Sequence, residues 1–289
     1  MFAEEWPLMM FTLLSQLAIG TFIVLMIVRS LLGDKSTAAK LTNFGLKAVG
    51  PIMALALLLS FFHLGTPTGA FRSILNLGSS WLSREIFTAG GFFVLWGLTV
   101  YTLKKEGAGN GIGWLAVLAG VAAIFSMASI YNSSIRPAWA NMHTFIAFFG
   151  ATFVLGYAGA VAMIGHIMKG QNIPSEGMAS LKKAGYLAIA AAIIPLVYLP
   201  VYLGSLNGGG EAAQASGQLL TNSYLFPLIL RWVLSLAGVF MFVNLVNKQS
   251  KGARMLPAGA VLISFALVLV GEFIGRYVFY ASGISIMVG

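Results

Sequence analysis

Apolar positions gather along the chain into eight blocks, roughly 6–32, 44–63, 83–103, 112–131, 142–168, 181–203, 222–246 and 256–280. About 20 mostly apolar residues are enough for a helix to cross the hydrocarbon core, and every block reaches that length. Gly, Pro, Asn and charged residues mark the breaks between them. The pattern predicts an all-α, polytopic membrane protein: one integral membrane domain over residues 1–289, built as a bundle of eight transmembrane helices. The segment 204–221, with its Gly-Gly-Gly run, reads as a flexible polar loop.

Composition agrees. The chain is 58% hydrophobic and 9% charged, with a mean hydropathy of +0.89. Soluble domains carry about 25% charged residues. The start, Met1-Phe2-Ala3-Glu4-Glu5, is acidic and lacks the basic segment of a signal peptide, so the first helix is expected to be retained. The sequence has no cysteine. Disulfides, thiolate-bound zinc and cysteine-held iron–sulfur clusters are thereby excluded within it.

The net charge of +9 suggests a nucleic-acid partner until its distribution is read. Twelve of the 17 Lys and Arg fall in alternate loops, at Arg29, Lys35, Lys40, Lys47, Lys104, Lys105, Lys169, Lys182, Lys183, Lys248, Lys251 and Arg254. The opposite loops hold Arg72, Arg84 and Arg136. The positive-inside rule puts the first set in the cytoplasm and both termini outside. The basic balance then belongs to membrane topology and calls for no nucleic acid.

With that orientation the ionisable groups inside the bundle are one-sided. His63 ends helix 2 on the outer side, and Arg84 and Glu85 begin helix 3 there. His143 begins helix 5. Arg231 lies nine residues into helix 7, about 14 Å from its outer end. Glu272 and Arg276 lie in the outer third of helix 8, and Gln16 in the outer half of helix 1. Transporters place their sites near the midplane with access from both sides. A one-sided cluster fits a pocket open to the outer leaflet.

Each group also has a structural role to weigh. Glu272 and Arg276, four apart, could neutralise each other. Arg231 is too deep to reach water easily and needs a carboxylate such as Glu272. Arg72 and Arg136 read as interfacial anchors, and His143 as a satisfied interfacial histidine. His63 stands out because its ordinary pKa suits proton exchange near neutral pH. Gly65 and Pro67 break the helix just after it, and irregular backbone at membrane depth usually lines a cavity. Trp81, Arg84 and Glu85 fall on one helix stripe and could border a flat ring.

Haem would need paired axial histidines. His143 and His166 are about 140° apart around one helix, and only His63 with His143 could form a pair. Quinol chemistry suits the residues better. It needs a proton acceptor, partners for the ring oxygens and an apolar slot, and His63 and Glu85 can fill the polar roles.

The protein also resembles the membrane anchor subunit of the bacterial dimethyl sulfoxide reductase family, from end to end. The resemblance rests on Glu5-Trp6-Pro7-Leu8-Met9, on His63-Leu64-Gly65 with Pro67, and on Leu82-Ser83 with Glu85-Ile86. It continues in Tyr131-Asn132, Pro137 with Trp139, Arg231, and Gly271-Glu272-Phe273-Ile274-Gly275-Arg276. The sequence departs from the family pattern at Arg72, Trp81 and Arg84.

The resemblance implies an eight-helix anchor in the bacterial cytoplasmic (inner) membrane that oxidises menaquinol during anaerobic respiration. Electrons would pass to a four-cluster iron–sulfur subunit and on to a molybdopterin catalytic subunit, a heterotrimer with no haem in the anchor. His63 and Glu85 are the implied catalytic pair. Gly65, Pro67, Trp81 and Arg84 are expected around the quinol, and Arg231, Glu272, Arg276 and Tyr131 as a supporting polar cluster. The competing expectations are a passive anchor or transporter without redox chemistry, and a haem b cytochrome.

Overall fold

The computed structural model describes residues 2–62, 76–103, 109–250 and 255–286. Among them are eight long helices: α1 (Phe2–Leu31), α2 (Lys35–Phe61), α3 (Trp81–Thr102), α4 (Gly109–Asn132), α5 (Met142–Ile167), α6 (Ser175–Asn207), α8 (Leu225–Ser250) and α9 (Ala258–Ala281). A short helix, α7 (Glu211–Gln218), lies between α6 and α8. All eight long helices have the length and composition to cross a membrane. The described residues contain no strand. This is the only economical way to hide backbone amides in hydrocarbon without closing a barrel.

The largest departures from the hydropathy pattern are in α2, α6 and the segment after α6. Helix α2 starts at Lys35, not 44, because Asp34 caps it. Its carboxylate accepts from the Thr37 amide at 2.7 Å and the Ser36 amide at 3.3 Å. The hydrogen bonds from Thr37, then from Ser36, hold the exposed Asp34 carboxyl below its ordinary range. The polar first turns of α2 are bound by Arg29, which donates to Thr42 and Asn43 at 2.9 Å each. Helix α6 runs six residues earlier and four later than its apolar block and contains Pro195 and Pro200. The 204–221 segment is not an open loop: Glu211–Gln218 is helical and continues as a π-turn over Leu219–Ser223. Ser216 and Ala213 are buried there, and the Ile284 amide donates to Ser216.

Helix α1 is the axis of the bundle. Of its most apolar stretch 89% is buried inside the protein, against 22% for α3. It packs along α2, α5, α4 and α9. Its crossing with α5 is backbone to backbone: a side chain on Gly156 would overlap the Gly20 backbone. Without a hydrophobic force between helices in lipid, close approach of small residues supplies the packing. The peripheral α3 is fastened to α2 by Trp96, whose indole donates to the Leu46 carbonyl at 2.6 Å.

The helix ends sort into two chemically different faces. Exposed Lys35, Lys40, Lys47, Lys169, Lys183 and Lys248 gather at one end. His166 stacks on Phe44 there, with centroids 5.4 Å apart. The start of α1, the end of α2, the starts of α3, α5 and α8, and the ends of α4, α6 and α9 make the other end.

Candidate functional site

The second end encloses the buried charges. On α8 the Arg231 guanidinium meets Glu272 of α9 at 3.4 Å. The other Glu272 oxygen accepts from the Ser235 hydroxyl at 2.9 Å. Gly275, one turn on, makes room: a side chain there would strike the Arg231 guanidinium. Arg231 therefore does take Glu272 as its carboxylate. The i, i+4 pairing of Glu272 with Arg276 gives way to this contact. Arg276 turns instead toward α1 and donates to Gln16 Oε1 at 2.5 Å. Its guanidinium lies 4.0 Å above the Phe148 ring, a cation–π contact. Gln16 in turn donates to the Phe148 carbonyl at 3.2 Å, so its amide is held at both ends.

His143 is buried at 8% exposure. The imidazole lies flat against Tyr202, with centroids 4.1 Å apart and planes 9° from parallel. Tyr202 is itself fixed by donating to the Ala138 carbonyl at 2.9 Å. Neither ring nitrogen of His143 has a hydrogen-bond partner among the described residues, nor does Arg231 Nε. His143, Arg231, Glu272 and Arg276 share a cavity of about 40 Å³ with Leu220 of the π-turn. At ~10–15 Å³ per water centre, that is room for roughly three water molecules, too little for a quinone ring.

On the far side of Arg276 lies a second polar group. The Tyr131 hydroxyl of α4 and the Tyr280 hydroxyl of α9 share a hydrogen bond. Trp139, Phe148 and Phe279 enclose them, each with its centroid within 5.5 Å of the Tyr131 ring. The Trp139 indole donates to the Phe279 carbonyl at 2.8 Å and closes the group toward the helix ends. Glu85 is buried one turn into α3. Thr12 of α1 is buried and donates to the Met9 carbonyl at 2.9 Å.

The stripe of Trp81, Arg84 and Glu85 divides in three dimensions. Glu85 turns inward. Arg84 donates to the Leu77 and Gly78 carbonyls at 2.8 and 2.7 Å and lies 4.1 Å over the Trp81 ring. Trp81 rests edge-on against Phe125. These two secure the entry to α3 at the margin of the bundle. His63, Gly65, Pro67 and Arg72 lie outside the described residues.

Of the predicted residues, Tyr131, Arg231, Glu272, Arg276 and Glu85 come together at one end. Sequence reasoning gave no role to Tyr280 or Thr12, and treated Gln16 and His143 as incidental. Tyr280 carried a signal, because it continues the Glu272–Arg276 spacing by a further four residues on one face. Gln16 did not: its partner is 260 residues away. No group of three or more metal-capable His, Cys, Asp or Glu side chains occurs among the described residues.

Comparison with known proteins bears on the whole sequence. The family model described as DMSO reductase anchor subunit matches residues 1–282. The C subunit of anaerobic dimethyl sulfoxide reductase from Escherichia coli (strain K12) is 31% identical over 297 aligned residues, covering 99% of this protein and 96% of that one. The YnfH subunit of an anaerobic dimethyl sulfoxide reductase from the same organism is 29% identical, again over 99% of this protein and 96% of that one. The corresponding C subunit from Haemophilus influenzae is 29% identical over 96% of this protein and 94% of its own length.

Proposed function

The protein belongs to the DMSO reductase anchor subunit family, and from that premise we propose that it oxidises menaquinol at the charged, lysine-poor end of its bundle. Electrons pass to an iron–sulfur subunit docked on that end and on to a molybdopterin catalytic subunit that reduces dimethyl sulfoxide or a related compound. The segregation of Lys and Arg supports placing this end, and both termini, on the outer side of a bacterial inner membrane. The observation that carries the reading is the burial of Glu85 inside the bundle, in a protein with only eight acidic residues. An ionisable group held inside a membrane bundle is costly and marks a working site.

Oxidation of one quinol breaks two O–H bonds and releases two protons and two electrons. His63 accepts one proton while bonded to a ring oxygen, and Glu85 accepts the other. Gly65, Pro67, Trp81 and Arg84 are the further residues this reading assigns to the surroundings of the ring. Arg231, Glu272, Arg276 and Tyr131 hold the surrounding helices in register. Redox centres reside in the partner subunits; this subunit supplies the proton acceptors and the apolar slot.

The intact complex carrying His63→Ala or Glu85→Gln tests the reading. Loss of a positioned acid–base group costs ~10²–10⁴-fold in rate. Menaquinol-driven reduction should fall by that order, while a soluble dye that feeds the partner subunits directly still supports turnover. Wild-type menaquinol turnover in both assembled variants refutes the assignment.

A further inference from the structure

A groove of about 310 Å³ is lined by α1, α2, α5 and α9 in the half of the bundle nearer the exposed lysines. Leu17 and Thr21 of α1 and Gly159 of α5 are buried and form its floor. Half-buried Ile52 of α2 and Phe265 of α9 form its sides, so it is open to the surroundings of the bundle. Gly159 keeps the floor clear: a side chain there would strike the Thr21 hydroxyl. The groove runs along the helices. From Phe44 to Ile52 it follows α2 for about 12 Å, and from Gly159 to His166 it follows α5 for about 10 Å. Its lysine end is marked by Phe44 and His166, both exposed and stacked with centroids 5.4 Å apart. Apart from Thr21 and His166 the lining is apolar.

We propose that this groove binds one anionic phospholipid from the leaflet at the lysine end, with an acyl chain along the groove and the phosphate at its mouth beside His166. The charges at the mouth carry the choice of ligand. Lys40 and Lys47 stand four residues before and three after Phe44 and share its face of α2. Lys169 follows His166 by one turn, its amide donating to the His166 carbonyl at 3.4 Å. All three lysines are exposed. Lysine stems lie along apolar surface while the ammonium reaches the headgroup level. Lys47 is one turn deeper than Phe44, and a phosphate at the mouth gives its ammonium a counter-ion at the end of that stem. The exposed His166 ring adds a hydrogen-bonding edge at the same level.

Shape and charge divide the recognition. The apolar slot accepts any hydrocarbon chain; the basic mouth selects the head. Basic pockets between transmembrane helices recognise anionic lipid heads in this way. The acid at this end of α2, Asp34, is committed to the Ser36 and Thr37 amides and leaves the lysine charge uncompensated at the mouth. A neutral isoprenoid quinone would fill the slot equally well, but it gives the ammonium groups no counter-charge. The groove lies at the opposite end from Glu85, Arg231 and Glu272, so this site is independent of the quinol reading.

The test uses the intact complex, purified in detergent and stripped of lipid. It is titrated with phosphatidylglycerol or with phosphatidylcholine of the same acyl chains, and bound lipid is read by native mass spectrometry. Each lysine near the head is worth about a fivefold preference for an anionic lipid, so three give a preference of about a hundredfold. One phosphatidylglycerol should therefore bind well ahead of any other lipid. Lys40→Gln and Lys169→Gln should each weaken it about fivefold and leave phosphatidylcholine unchanged. Ala162→Phe, on the groove-facing side of α5, fills the slot and keeps every charge; it should abolish the tight site. Equal affinity for the two lipids overturns the proposal. So does tight phosphatidylglycerol binding that survives in the assembled Ala162→Phe complex, which assigns the preference to the lysine surface at large. If that variant does not assemble, Ile52→Trp at the side of the groove decides by the same readout. A co-purifying quinone that Ala162→Phe releases, and that phosphatidylglycerol does not displace, also overturns it.

Discussion

Lys183, Lys169 and Lys248 stand exposed at one end of the bundle, whereas Arg231, Glu272, Arg276 and Glu85 are all but removed from solvent at the other. The two ends carry charge for different physical purposes. At the lysine end each ammonium stays hydrated, and the charges act together through topology. At the opposite end each paired charge was taken out of water and needs a specific partner: Glu272 for Arg231 and Gln16 for Arg276. A hydrated charge can be lost with little consequence. A buried one cannot, because its partner is left behind without solvent.

The largest expected effect that sharpens this contrast is at Glu272. Glu272→Ala leaves Arg231 buried and unpaired, a loss of ~3–5 kcal/mol. A large drop in the melting temperature of the purified complex should report it. Replacing both partners, as Arg231→Met with Glu272→Leu, should recover much of that loss. If the double variant is no more stable than the single one, the pair is not what holds α8 to α9.

Gln16→Leu comes next. It removes the hydrogen bond that orients Arg276, and bonds to charged groups are worth ~1.5–3 kcal/mol. Chemical denaturation in detergent should show a loss in that range. A neutral outcome would mean that Phe148 alone positions the guanidinium.

The smallest effect is expected at the lysine end, at the Asp34 cap. Its carboxyl is held below its ordinary range in the folded protein by Thr37 and Ser36. The ionised cap therefore stabilises α2 at any pH above the ordinary carboxyl range, and this contribution fades as acid protonates it through the depressed value. Asp34→Ala should lower thermal stability slightly at neutral pH and not at strongly acid pH. Equal losses at both would assign the role to packing instead.

Much of the arrangement was legible along the sequence, for reasons that can be stated residue by residue. Eight apolar blocks predict eight helices because bilayer thickness sets helix length. The pairing of Arg231 with Glu272 was readable because a deep cation in hydrocarbon has few available carboxylates. The start of α2 was hidden because its first turns are polar, and a cap with local partners, not hydropathy, begins the helix. The helix in Glu211–Gln218 was hidden by the Gly-rich segment that precedes it.

What the sequence determined by itself is the number of spans, the segregation of Lys and Arg between ends, and the rarity of the acidic groups. These depend on local length and composition. The tertiary structure decided which rare groups meet. It sent Arg276 to Gln16 instead of Glu272, buried His143 against Tyr202, and joined Tyr131 to Tyr280. Those contacts link residues far apart in the sequence. They exist because small-residue crossings such as Gly20 against Gly156 set how the helices approach. No spacing along a single helix encodes that approach.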